Sequence, residues 1–426
     1  MLSLRVSILV ATVALVTFAL LGLAEEAAME APAGFDTPTL VANPGSESHS
    51  NGIEEPPGDT FATDQQRFEL AHDVSTGLGP VFNARACLDC HQNPVTGGAS
   101  QFTEIRAGHL DENGNFVNPT VPIHDGAQTI TGRSIINDRA VIPEAQENVP
   151  DTENIRALRA VLNTLGDGFV EAIDDSTLIN IATNQPRVSN GSIHGEAIQV
   201  PLLEAPGQTR IGRFGWKDQH ASLLSFIGDA YLNEMGVTNR LRPQDTTTVG
   251  KTTSDPEDTP DNLGLDDIDH FAEFVRGTKV PPRDSLLVAS PDAQAGQILF
   301  EKLGCAICHV TTLVTVRPGT VINGGTFTVP QALGYKIIHP YSDFLLHDLG
   351  TGDGIVQAGP QDTRNKLRTA PLWGLRTKSR FLHDLKSFSL DSAIERHQGE
   401  AKGVTFEFHR LTSDEKQQLF QFLKSL

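Results

Sequence analysis

The sequence predicts a mainly α-helical chain of two similar domains, with one small β-hairpin insertion. Three observations predict it. The motif Cys-x-x-Cys-His occurs twice, as "CLDCH" at Cys87–His91 and as "CAICH" at Cys305–His309. Each copy follows a stretch with helix-start signals, so a helix leading into the motif is repeated. The segment 311–329, "TTLVTVRPGTVINGGTFTV", sets β-branched runs around Pro-Gly and Gly-Gly, which reads as the hairpin.

Taken in order, residues 1–24 open with one basic residue, Arg5, and continue as an almost wholly apolar run ending in small residues. This reads as a secretory signal peptide cleaved near Ala24. An uncleaved anchor is the alternative, because about 19 apolar residues can just span a bilayer. Residues 25–60 are rich in Pro, Gly, Ser and Glu and read as a disordered linker. The first domain is expected over 61–282. Its lead-in, "TDQQRFELAHD", has Thr63 as N-cap with Gln66 three residues on. The second is expected over 283–426, with Ser290 as N-cap and Pro291 at the first helical position. There Ala295, Leu299 and Leu303 are expected on one face, and Gly304 ends the helix just before the cysteines. A formal charge of −20 repels nucleic acid and anionic lipid and suits a basic protein partner or plain solubility.

Two chemistries compete for the repeated motif. Cys-x-x-Cys is half of a tetrahedral zinc site, and Cys-x-x-Cys-His is the attachment site of a c-type haem. The chain has four cysteines, Cys87, Cys90, Cys305 and Cys308, all of them in the motifs. A single zinc site would need the two pairs to meet from distant parts of the chain, and would leave the histidine after each pair as coincidence. With only 14 histidines in 426 residues, two such coincidences are improbable. The haem reading uses every residue. Each thiol bonds one porphyrin vinyl group, and the next imidazole, of His91 or His309, becomes the proximal iron ligand. Export fits too, since c-type haem is attached after export. The expectation is two covalent haems in two cytochrome c-like domains.

The occupant of each iron's sixth position decides between electron transfer and chemistry. In "SFSLDSAIERHQGEA", Leu390, Ala393, Ile394 and His397 fall on one helical face behind Ser389 as N-cap. That apolar face turns an imidazole inward and makes His397 the candidate distal ligand of the second haem. His383 and His347, each followed by Asp, compete with it. For the first haem, Leu223, Ile227, Tyr231 and Met235 recur every fourth residue, so Met235 reads as core. Glu234 borders the same face. It is either a solvated acid at a helix end or a buried carboxyl able to move protons beside an open iron. His109 is a weaker distal candidate.

The motifs "GLGPVFNARACLDCHQNPVTGG", "GDGFVEAI", "GRFGWKDQ", "NEMGV", "FEKLGCAICH", "YSDFLLHDLG", "APLWGLRTKSRFLHDL" and "AIERHQGEA" resemble, in order, bacterial di-haem oxidoreductases, sometimes labelled thiol oxidoreductases. That family is itself similar to di-haem cytochrome c peroxidases and to tryptophylquinone-forming enzymes. The resemblance covers residues 60–426. It implies a peroxidatic haem in the N-terminal domain and a six-coordinate, electron-storing haem in the C-terminal one. By the same resemblance His397 occupies the distal-ligand position, where the peroxidases carry Met. Glu234 matches the glutamate over the peroxidatic haem, and Trp216 the tryptophan between the haems. The glutamine that accompanies that glutamate has no match, Leu224 or Ser225 standing there. The peroxidases also hold a calcium ion between their domains, whose ligands the sequence does not place. The thiol label finds no support, since the motifs use every cysteine. The function expected is periplasmic, peroxidase-like redox chemistry with a small oxidant such as peroxide and a redox partner protein. The rival is an electron-carrier cytochrome with both haems six-coordinate, and a third possibility is oxidation of a protein side chain.

Overall fold

The computed structural model describes residues 27–34 and 49–426. The expected signal peptide lies outside the described residues, as do residues 25, 26 and 35–48 of the expected linker. The remainder of that linker is placed. Met29–Glu30 pairs in parallel with Lys336–Ile337, and Asn51 Nδ2 donates to the Arg276 and Thr278 carbonyls. Among the described residues no helix is long and apolar enough to cross a membrane.

The expectation of a mainly α fold is overturned. The chain is 32% helix and 16% strand, the strands spread over many small sheets. The largest departure follows the first Cys-x-x-Cys-His turn. Here β1 (Thr103–Leu110) pairs antiparallel with β2 (Phe116–Val117), β3 (Ile135–Ile136) and β4 (Ile155–Ala160). The period-2 signal of β1 is inverted, which hid it. Arg106 is buried while Ile105, on the other face, is exposed, the reverse of an ordinary half-buried strand. Residues 311–329 contain the hairpin Val321–Ile322 with Phe327–Thr328.

The helices follow local rules. α1 (Phe61–Glu69) is capped by the Thr60 hydroxyl, which accepts from Thr63 N at 3.1 Å; the expected cap, Thr63, lies within the first turn. Phe61, Asp64 and Phe68 form its buried face. α2 (Leu223–Met235) is capped by Ser222 and ends at Gly236 with φ 73°. A side chain there would also run into the Gly79 backbone. α3 (Asp267–Gly277) lies against α1 and α2, with Phe68 and Phe274 ring centroids 4.9 Å apart and Tyr231 and Phe271 5.2 Å apart.

In the second half, Ser290 caps α4 (Pro291–Leu303), accepting from Ala293 N at 3.2 Å, and Gly304 closes it with φ 94°. The buried face runs through Ala293, Gly296, Leu299 and Phe300 rather than Ala295, because Gly296 meets the closing helix α6 (Ser413–Lys424). A Cβ at Gly296 would collide with the Gln418 carbonyl. Between them, α5 (Leu390–Glu395) is capped by Ser389.

The main hydrophobic core draws on both halves. Phe68, Tyr231, Phe271 and Phe274 share it with Phe344 and Trp373. A buried charge network also crosses between them. Arg159 on β4 donates to Asp353 Oδ2 at 2.7 Å, and the Lys217 ammonium lies 3.1 Å from Asp353 Oδ1. Breaking such a buried pair by removing one partner costs about 3–5 kcal/mol, which makes the network a firm strut between the halves.

Candidate functional site

Each Cys-x-x-Cys-His motif forms a short 3-10 turn, Cys87–Asp89 and Cys305–Ile307, that sets the following histidine inward. None of the four cysteines is in a disulfide. Burial, then the charge of Cys90, pushes the Cys87 thiol up to about 12. Burial, then the charge of Glu234, pushes Cys90 to about 12. Neither is a ready thiolate, which argues against exchange chemistry at these sulfurs.

His91 Nδ1 is 3.1 Å from the Gly98 carbonyl, and burial pushes its pKa down to about 4. The ring is therefore neutral. With Nδ1–H given to the carbonyl, Nε2 keeps its lone pair, as an iron ligand must. Cys87, Cys90 and His91 line a cavity of about 1110 Å³. Phe102, Ile105 and Leu158, 51%, 38% and 40% exposed, present apolar surface to the same cavity. Three large apolar side chains left uncovered around a thiol pair and a neutral imidazole suit a flat apolar macrocycle.

The same cavity holds Glu234, and Asn83 Nδ2 donates to its Oε2 at 3.0 Å. Glu234 also hydrogen-bonds Glu104 on β1. Arg106, two residues along the same strand face, donates from Nε to Glu104 Oε1 at 2.5 Å. Burial, then the charge of Glu104, pushes Glu234 well above the usual carboxylate range. Burial works against the Glu104 charge, but the Arg106 guanidinium, the hydrogen bond with Glu234 and the Arg159 charge together hold that carboxyl below its usual range. The pair thus shares one proton, carried by Glu234. Glu104 and Arg106 did not emerge from the sequence. Their i, i+2 spacing would have shown both on one face had 103–110 been read as a strand.

In the second half, His309 Nδ1 is 2.9 Å from the Tyr341 carbonyl and His397 Nδ1 is 2.7 Å from the Ala393 carbonyl. Their ring centroids are 6.4 Å apart. Two imidazoles on one metal, with bonds of about 2.0 Å and nitrogen-to-centroid distances of about 1.1 Å, stand about 6.2 Å apart. The observed gap fits one shared ion. Burial lowers both pKa values, that of His309 to about 4, so both rings are neutral donors. The Thr405 hydroxyl donates to the His397 carbonyl and fixes the turn after α5.

The competing histidines have other partners. His347 lies between Asp343 and Glu400, each 2.9 Å from a ring nitrogen. Burial opposes its charge, but Asp343 and the Cys308 sulfur, through charge and hydrogen bonding together, raise it well above the ordinary value. His109 bonds Glu153 at 2.7 Å and is not among the residues lining the cavity. Met235 is in the main core at the cavity wall. His383 packs edge-on against Trp216, centroids 6.0 Å apart. Trp216 lines the first cavity and donates from Nε1 to the Ala160 carbonyl at 2.8 Å. Beyond His383, Asp384 is bonded to Arg396 at 2.7 Å, next to His397. Contacts therefore run from the first cavity through Trp216 toward the second histidine pair.

The family model described as "Di-haem oxidoreductase, putative peroxidase" matches residues 144–426. The match includes Trp216, Glu234, His309 and His397; the first motif and Glu104 lie upstream of it. No curated protein matches. Among solved structures, Kuenenia stuttgartiensis hydrazine synthase pressurized with xenon is 14% identical, with 99% of this chain and 100% of that chain covered and a TM-score of 0.37. A MauG-like protein associated with microbial copper homeostasis is 21% identical, with 37% and 52% covered and a TM-score of 0.24. Both likenesses are shallow.

Proposed function

The chain belongs to the di-haem oxidoreductase family, and from that premise we propose that it is an exported, periplasmic enzyme with peroxidase-like chemistry at its first haem site. Cys87, Cys90 and His91 would hold one haem, and Cys305, Cys308, His309 and His397 the other. When bound, the haems supply redox-active iron, one to meet the oxidant and one to store and pass an electron. The observation that carries this reading is an asymmetry between the sites. A second imidazole faces His309 at 6.4 Å, whereas His91 shares its cavity with the Glu234 and Glu104 carboxyls.

The residues around the first cavity have separable tasks. Glu234 holds a proton at Oε1 or Oε2 and can give it to a bound oxidant's leaving oxygen. Glu104, ionised against Arg106, takes up the proton's return path and keeps Glu234 protonated. Asn83 orients the Glu234 carboxyl through its 3.0 Å bond. Trp216 lines the cavity and touches His383, which supports a role as stepping stone for electrons coming from the His309–His397 side. The apolar leader and the Cys-x-x-Cys-His motifs support export. A small oxidant such as peroxide and a protein electron donor are the partners that fit this arrangement.

Carbon monoxide distinguishes this enzyme from an electron carrier with both irons closed. The fully reduced protein is expected to bind one carbon monoxide, and the half-reduced protein to react with peroxide. Low-spin spectra for both haems without carbon monoxide binding, in the reduced and half-reduced states alike, would leave the carrier reading standing.

A further inference from the structure

Away from both haem sites, four carboxylates converge between α1, α3 and the segment before α1. One oxygen each from Glu55, Asp64 and Glu273 lies within 4.8 Å of the others, and Asp59 joins Asp64 at the same spacing. Asp64 is completely buried and Asp59 is 7% exposed. Four oxygens here, Glu55 Oε1, Asp59 Oδ2, Asp64 Oδ2 and Glu273 Oε2, are buried with no hydrogen-bond partner. Leaving a buried charged oxygen unpaired is costly, and four in one place demand a partner.

Among the described residues, the nearby cationic side chains His270, Arg67 and Arg276 are engaged elsewhere. His270 Nδ1 is 2.6 Å from Asp64 Oδ1, and its Nε2 is 3.2 Å from Asp261. Both ring nitrogens therefore face carboxylates, so the imidazole is a donor on both sides and no metal ligand. Asp59 Oδ2 is 3.0 Å from the same Nδ1, whose hydrogen is directed at Asp64. Arg67 is held by Asp261 and Asp267, and Arg276 by Glu171. A second acidic group, Asp245, Asp255 and Glu257, shows the contrast: there the Lys251 ammonium sits among the carboxylates.

We propose that Glu55, Asp64 and Glu273 bind one calcium ion, with Asp59 beside Asp64 at the edge of the cluster. An all-oxygen, multiply anionic donor set selects a hard cation, and three carboxylates with water completing the shell suit calcium's six to eight ligands. Magnesium, which holds on to its waters and demands a strict octahedron, suits a buried carboxylate cluster less well. Without a cation, burial and then the charges of Glu273 and Asp59 push Glu55 to about 7, and burial pushes Asp64 to about 8 despite its bond to His270. The place of the cluster has a consequence for the first haem site. The ion ties the 55–59 segment to the helix pair whose Phe68 packs 6.1 Å from the His91 ring.

The test uses the full-length haem-loaded protein, stripped with EGTA and titrated with calcium chloride by calorimetry. Asp64→Asn and Glu273→Gln are each expected to bind one ion fewer per chain than the wild type, with unchanged haem spectra. Added calcium should raise the melting temperature of the wild type and leave that of the variants in place. Glu55→Gln, at the partly exposed rim, repeats the test should a buried variant fail to fold. Equal ion counts in wild type and variants, no calcium bound by the wild type, or binding of magnesium in preference to calcium would overturn the proposal.

Discussion

The two Cys-x-x-Cys-His sites share a local design and differ in what faces them. Both place a histidine after a short turn and give its Nδ1 to a backbone carbonyl, Gly98 in one and Tyr341 in the other. Opposite His309, the turn after α5 brings in His397. In the cavity of His91, β1 and α2 bring in Glu104 and Glu234 instead. The comparison teaches that the repeated motif sets a histidine in place, while the non-repeated elements around it determine what that histidine's metal can do.

Three substitutions break or sharpen this contrast. The largest effect is expected from Glu234→Gln, which keeps the shape and removes the proton donor. Peroxide turnover should fall by about 10²–10⁴-fold, the range typical of general acid–base groups. Turnover equal to the wild type would reduce the two sites to variants of one carrier. His397→Ala comes next. It should convert one haem from low-spin to high-spin and raise its potential, since a strong imidazole donor is lost. Electron paramagnetic resonance with a redox titration reads both, and an unaltered spectrum would hand the ligand role to another residue.

The smallest effect concerns pH. Glu234 acts in its protonated form, so activity should decline as pH rises through its elevated pKa. Glu104 is the second cause of that elevation, after burial. Glu104→Gln should therefore lower the Glu234 pKa and move the alkaline limb of kcat to lower pH. A limb that stays in place would show that the pair does not share its proton. The stability sign is consistent: a carboxyl with a raised folded pKa binds a proton on folding. Its contribution is full below the unfolded value and fades as pH climbs through the folded one.

Parts of this region were legible before any coordinates. Ser389 does cap the expected helix, but that helix ends at Glu395, so His397 stands in the turn after it and not on its face. Met235 belonged to an apolar stripe and lies in the core. The fold class was not legible, because β1 hides behind an inverted pattern. Its charged side chains face inward to Glu234 and its Ile105 toward the cavity, so the usual apolar-in alternation is absent. At Asn51 and Asp59 tertiary contacts were hidden for a related reason. Polar composition there reads as solvated chain, yet these side chains bond to or crowd against distant parts of α3.

By itself, the sequence determined what is local: the two motif turns, the caps at Ser290, Ser389 and Gly304, and the family to which the chain belongs. Each depends on residues a few positions apart, whose spacing is set by backbone geometry. Only the tertiary structure decided that Glu104 meets Glu234, that His347 lies between Asp343 and Glu400, and that Glu55, Asp64 and Glu273 come together. Those outcomes depend on which strands pair and which helices pack. Charges far apart in the chain interact through the low-dielectric interior only once folding has removed the water between them.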